Sequence, residues 1–322
     1  MKKQKGIMNK KAIEFAFSWI FAFIAGAFIL LLAIYATSKF VGTQEKVSYT
    51  ETAARIVSLL DPYETGLGSG KSADINFKVD STIYNEGCSS SENKPFGKQF
   101  ISFSEKTFGN EYAKKGNKIA IYNKYVFMED SSEGKSFIMF SKPFFMPFKV
   151  SDIIVLLSRD YCFYDMPDEI IRDLGPPPGL DIKLVHFPNS TQKCEGVKVC
   201  FASGKDCDIK VSITEKYVEK NNKKMYFYDS LIYGAIFSSP EAYECNVKRL
   251  MNKINELGLV YIDKIKIIER KQCQSNVESK LITLMNNAKQ ISYSRDLTVL
   301  GELSDEINSI NDAANPGCKL FN

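Results

Sequence analysis

Histidine is nearly absent: His186 is the only one in 322 residues. That excludes His-rich metal sites and leaves a nucleophile–base–acid triad a single candidate base. No C-x-x-C pair occurs and no D-x-D-x-D-G run, so the usual signatures of a zinc knuckle and of a calcium loop are missing. Acid is missing from the N-terminus. Glu14 is the only carboxylate before residue 45, whereas Lys2, Lys3, Lys5, Lys10 and Lys11 all precede residue 15. Five of the 42 basic residues and one of the 38 acidic ones therefore lie in the first 14 positions, leaving 37 of each beyond them. The net charge of +4 belongs to a tail. A neutral body lacks the basic surface excess that phosphate binding needs, which excludes nucleic acid as the main partner.

Charge is also missing from Phe15 to Tyr35, a run of 21 residues that reads FAFSWIFAFIAGAFILLLAIY. As a helix it spans about 31 Å, the thickness of a bilayer core. The lysine block before it predicts a cytoplasmic N-terminus, with everything after about residue 40 translocated. Trp19 and Tyr35 sit near the two ends, where amphipathic rings favour the interface. A cleaved signal peptide is the alternative, with Ala36-Thr37-Ser38 as a cleavable triplet, although its apolar core would be unusually long. Ser18, Ala22 and Gly26 form a stripe of small residues along which two such helices can approach. Lys11-Ala12-Ile13-Glu14 has a faint likeness to a type IV prepilin start, but Glu14 follows Ala12 by two residues and Gly6 by eight, where that motif wants five.

All eight cysteines follow the apolar run: Cys88, Cys162, Cys194, Cys200, Cys207, Cys245, Cys273 and Cys318. An even number in a translocated domain reads as disulfides. One pairing has a local argument. Two strands in GVKVCFASGKDCDIKVSI, turning at Ser203-Gly204, would set Cys200 opposite Cys207. Cys245, Cys273 and Cys318 fall in helical sequence and are placed to staple helices. Asn189-Ser190-Thr191 is the one glycosylation sequon.

The pattern predicts an α+β fold, organised as residues 1–40 (tail and anchor), 41–175 (a helix plus a β-rich subdomain), 180–236 (a β subdomain) and 237–322 (a helical region). Residues 45–60 read as a helix leaving the membrane, ended by Asp61-Pro62 and the glycines that follow. Strand character marks 75–79, 99–103, 118–128 and 137–140. VSDIIVLLS at 150–158 is a strand or a short helix by periodicity. Gly175-Pro176-Pro177-Pro178-Gly179 breaks any regular element. Strands follow near 181–187, 197–201 and 207–218, the last pairing with 223–228 across Lys220-Asn221-Asn222. Ser238 or Ser239 can cap a helix with Pro240 in its first turn. Amphipathic spacing then continues through Val247, Leu250, Ile254 and Leu257, with further helices at 276–290 and 296–313.

No residue qualifies as catalytic, cofactor-binding or metal-ligating by motif. TGLGSGKS at 65–72 resembles a phosphate-binding loop, but Thr65 stands where G-x-x-x-x-G-K-S/T needs glycine, and a helix precedes it where a strand should. It reads as a flexible turn. His186, alternating with Ile182 and Leu184, reads as a packed, hydrogen-bonded residue. SKPFFMPF at 141–148 covers a core or forms an exposed contact patch.

The strings FSKPFFMPFKVSDIIVL, RDYCFYDMPDEI and YDSLIYGAIFSSPEAYECNVKRLM, behind KKAIEFAFSWIFAFIAG, resemble a group of single-span membrane proteins from archaea of small-genome (DPANN-type) lineages. The likeness covers most of the chain. It implies the same architecture and an archaeal source, and no functional residues, because the group has no assigned activity. The expectation is a membrane-anchored extracytoplasmic envelope protein without catalysis or cofactor, partnered by another envelope protein or by itself. A pilin-like subunit and an extracytoplasmic enzyme of unknown reaction are the alternatives. A deep cleft with clustered acids or His186 would favour the enzyme.

Overall fold

The computed structural model describes residues 10–89, 97–107, 112–188, 193–202, 206–270, 272–273 and 276–321, with side chains from residue 18. Helix α1 runs from Lys10 to Ser58 without a break. Residues 1–48 form one compact unit and 49–322 another. In the first, the large apolar side chains from Trp19 to Val41 are exposed. The helix is long and apolar enough to cross a membrane. In the second, the end of α1 turns Tyr49, Ala53, Ile56 and then Leu60 into a core, the spacing of one helical face. Asp61-Pro62 opens a short helix, α2 (Asp61–Glu64), where a stop was expected, and the expected glycine turn follows.

Six strands form the first sheet: β1 (Ser72–Ser89), β2 (Lys98–Glu105), β3 (Ile119–Ile121), β4 (Tyr125–Phe127), β5 (Ser131–Phe145) and β6 (Lys149–Leu157), in the order β3-β2-β1-β5-β6-β4. The expected strand over 118–128 is two, broken where Asn123 takes a left-handed φ of 51°. β6 settles the open choice at 150–158 in favour of a strand. Ile154 and Leu156 face one core, while Ile153, Val155 and Leu157 face the other. A strand buried on both faces shows no alternation, which is why periodicity left it undecided.

The second sheet is mixed: β7 (Tyr161–Tyr164), then, beyond α3 (Asp168–Leu174), β8 (Val185–His186), β9 (Val197–Cys200), β10 (Ile209–Ser212), β11 (Tyr217–Lys220) and β12 (Lys223–Tyr226), ordered β12-β11-β10-β9-β7-β8. The β11–β12 hairpin turns at Asn221 and Asn222, both at positive φ, where asparagine is tolerated. β9 and β10 correct an expectation: they pair in parallel, not as a hairpin. Ser203 and Gly204 lie outside the described residues.

Helices complete the unit: α4 (Leu231–Phe237), α5 (Pro240–Glu269), α6 (Glu278–Gln290) and α7 (Leu297–Ala313). Every residue of α4 is buried. Ser239 caps α5, its hydroxyl accepting from Ala242 N–H at 3.4 Å. At the α5–α6 crossing a Cβ on Gly258 would sit 2.5 Å from Met285 Sδ, so glycine permits the approach. One hydrophobic cluster runs from Tyr125 in β4 to Phe321, drawing on both sheets and all the later helices.

Strand β2, next to one end of the first sheet, meets the edge strand β4 at the other end through a side chain. Gln99 on β2 donates from Nε2 to Val126 O on β4 at 2.8 Å and accepts from Val126 N–H at 3.2 Å. Three strands separate β2 from β4 in the sheet order, so the sheet curls until a glutamine amide stands in for a ladder rung. From α5, Asn246 Nδ2 donates to Val126 O at 2.8 Å and Arg249 to Asn246 Oδ1 at 2.8 Å. Gln99, Asn246 and Arg249 are all fully buried. Removing Gln99 strands the Val126 N–H in a dry seam. We expect Gln99→Ala to cost about 2–4 kcal/mol in urea unfolding, against under about 0.5 kcal/mol for Lys98→Ala.

Candidate functional site

Four segments that are remote in sequence enclose a cavity of about 500 Å³. They are the end of β5 (Lys142 to Phe145), α3, the β10–β11 turn and the entry to α4. That is the size of a site for a small molecule or for a few side chains. Its base is an ion pair on a phenol. Asp173 Oδ2 accepts from Tyr233 OH at 2.5 Å and from Lys142 Nζ at 2.8 Å. Burial, and then the Asp173 carboxylate, drive the Tyr233 phenol far above its ordinary range, so it stays protonated and donating.

Asp229 stands at the exposed mouth. Its φ of 50° is left-handed, a conformation aspartate tolerates better than most residues. Oδ2 accepts from Phe145 N–H at 3.1 Å. Among the described residues no lysine, arginine or histidine lies within ion-pair distance of it. Desolvation by the surrounding chain raises its carboxyl above the ordinary aspartate range, outweighing the bonds from Phe145 and Ser230 that lower it. Ser230 turns its hydroxyl away from the α4 terminus to Pro143 O at 2.8 Å.

His186 lines a second, larger cleft of about 890 Å³, with Asp160, Asp181, Lys183 and Glu195 on its walls. Nε2 lies 2.6 Å from Asp160 Oδ1, and both side chains are nearly half exposed. His186 is hydrogen-bonded as expected, but at a cleft wall and not packed in a core. The combination named above as favouring an enzyme is therefore present. The pair can hold or pass a proton. Among the described lining residues no serine, threonine or free cysteine stands beside the base, Cys194 being tied in a disulfide.

The other candidates are structural. The cysteines form four disulfides, Cys88–Cys245, Cys162–Cys194, Cys200–Cys207 and Cys273–Cys318. Cys200 does bond Cys207, from the end of β9 to the entry of a parallel strand. Cys273–Cys318 joins the segment after α5 to the C-terminal segment. Cys245, expected to staple helices, instead ties α5 to β1. The glycine turn holds Ser69 on Asp152 and offers Gly68 O to Ser141 Oγ at 2.6 Å, which fastens it to the sheet. Of SKPFFMPF, Phe144, Met146 and Phe148 are core, while Phe145 is 42% exposed at the cavity rim. The sequon lies outside the described residues. Among those residues no three His, Cys, Asp or Glu side chains gather as a metal site would. Besides Arg249 in the seam, the buried cation Lys220 escaped the sequence reading. Lys220 Nζ donates to Glu129 Oε1 at 2.6 Å and to Ile236 O and Ser238 O at 3.0 Å, closing the C-terminus of α4.

No protein-family model, curated protein or solved structure matches this chain.

Asp229 gives a signed prediction. A carboxyl raised on folding contributes stability below its unfolded pKa, and that contribution is lost as pH rises through the folded one. At pH 7 the ionised group therefore costs stability. Asp229→Asn keeps an oxygen for Phe145 N–H and removes the charge. Its Tm should exceed the parent's by roughly 1–2 °C at pH 7, and the gain should vanish below about pH 3.5.

Proposed function

We propose that the protein is a single-span, membrane-anchored envelope component whose disulfide-bonded head lies outside the cytoplasm and binds another protein. The observation that carries this reading is the distribution of cysteine. All eight follow the apolar part of α1, and all eight are paired. Persistent disulfides belong to oxidising compartments, and a lysine block retained in the cytoplasm sends the following chain across. Binding is favoured over catalysis because both clefts set charged groups among apolar walls, the composition of a docking surface.

A pilin-like subunit is the second reading, favoured by the unbroken course of α1 from the apolar stretch to Ser58. N-terminal sequencing of the mature protein separates the two. A start at Ile7 or Ile13 supports the subunit, and an intact terminus supports the anchor.

The topology is tested by a membrane-impermeant maleimide on intact cells, before and after mild reduction. We expect labelling only after reduction. Labelling only after lysis, with no need for reductant, would put the head in the cytoplasm and overturn the proposal.

A further inference from the structure

We propose that the cavity between β5, α3, the β10–β11 turn and α4 is a docking pocket for a basic side chain of a partner polypeptide, an arginine or lysine flanked by apolar residues. This deepens the protein-binding reading above and rests on it.

Charge complementarity carries the argument. Three carboxylates, Glu169, Asp173 and Asp229, line the cavity with two lysines. Both lysines are committed. Lys142 is bound to Asp173, and Lys216 lies over the Tyr228 ring at 5.6 Å from its centroid. Asp173 is thereby neutralised. Glu169 and Asp229 are exposed at the mouth, and among the described residues neither has a cation within ion-pair distance. A guanidinium or ammonium entering here would meet a carboxylate that no cation among the described residues pairs with directly. With arginine the contact can be bidentate.

Apolar surface flanks that charge. Phe145 and Ile213, on separate walls, are each 42% exposed, and Ile170, Phe227 and Ile232 are buried behind them. Such walls suit the aliphatic stem of a basic residue and its apolar neighbours, while the head group reaches Asp229. A free small amine would leave Phe145 and Ile213 wet, so the geometry favours a polypeptide. Arginine anchored in such a pocket is a common centre of binding energy at protein interfaces.

The test is a calorimetric titration of the purified full chain in detergent with the peptide acetyl-Ile-Arg-Ile-amide. Its citrulline counterpart and n-propylguanidine serve as controls. We expect saturable binding of the arginine peptide below about millimolar concentration, and binding at least about tenfold weaker for each control. Asp229→Asn should weaken the arginine peptide by about tenfold without lowering Tm, which separates a lost contact from a lost fold. Ile213→Ser, at an exposed position, should weaken it by roughly threefold. The proposal is overturned by no binding of the arginine peptide, by equal binding of the citrulline peptide or of n-propylguanidine, or by an unchanged affinity in Asp229→Asn. The titration does not depend on which side of a membrane the head occupies, so it can fail while the maleimide result stands, and the reverse.

Discussion

A single glutamine side chain closes the first sheet, and the rest of the unit is arranged around that closure. Gln99 presents one donor and one acceptor to the backbone of Val126, the pattern a neighbouring strand would offer. A buried edge with unmet N–H and C=O groups would cost several kcal/mol. The seam meets that demand with side chains and then covers them with α5, whose Asn246 and Arg249 extend the network. Cys88–Cys245 crosslinks β1 to α5 one residue before Asn246, across a sequence separation of 157. In the chain-entropy treatment a crosslink of that span removes roughly 5 kcal/mol of unfolded-state freedom. The covalent tie and the buried polar network thus hold the same joint.

The first sheet contributes to both clefts. β5 and β6 present one face to the core under α1 and the other to the core shared with the second sheet. Lys142 and Phe145 at the end of β5 therefore reach the cavity beside α4, while Asp160, just after β6, reaches the His186 cleft. Lys220 holds α4 from the second sheet by taking its last carbonyls, and its bond to Glu129 links that sheet to the segment after β4. The pocket at Asp229 draws on β5 and the entry to α4, whose buried residues Phe144 and Leu231 belong to one core.

How much of this could be read in the sequence depended on range. The apolar run, the capped start of α5 at Ser239-Pro240 and the rhythm of α6 and α7 are local patterns, and each appears in the structure close to where it was expected. Strands came out shorter or divided wherever one residue takes a left-handed turn, as at Asn123. Of the disulfides, Cys200–Cys207 had a local signal, though for a strand direction that proved wrong. Cys88–Cys245 had none, because it depends on a helix lying across the sheet seam. α4 went unread although Asp229-Ser230 before LIYGAIF is a plausible helix start; seven buried residues show no amphipathic period. The cavity was illegible for the same reason as the seam. Its carboxylates come from α3 and the α4 entry and its apolar rim from β5 and a turn, and only the tertiary fold brings them together.

The account stands most directly on the bond between Cys88 and Cys245. It requires the head to be oxidised and α5 to lie on the sheet seam. Protein alkylated in intact cells, digested without reduction and examined by mass spectrometry should yield a peptide containing Cys88 joined to one containing Cys245. An alkylated free Cys88 would contradict the compartment, and Cys88 joined to any other cysteine would contradict the placement of α5 on the seam.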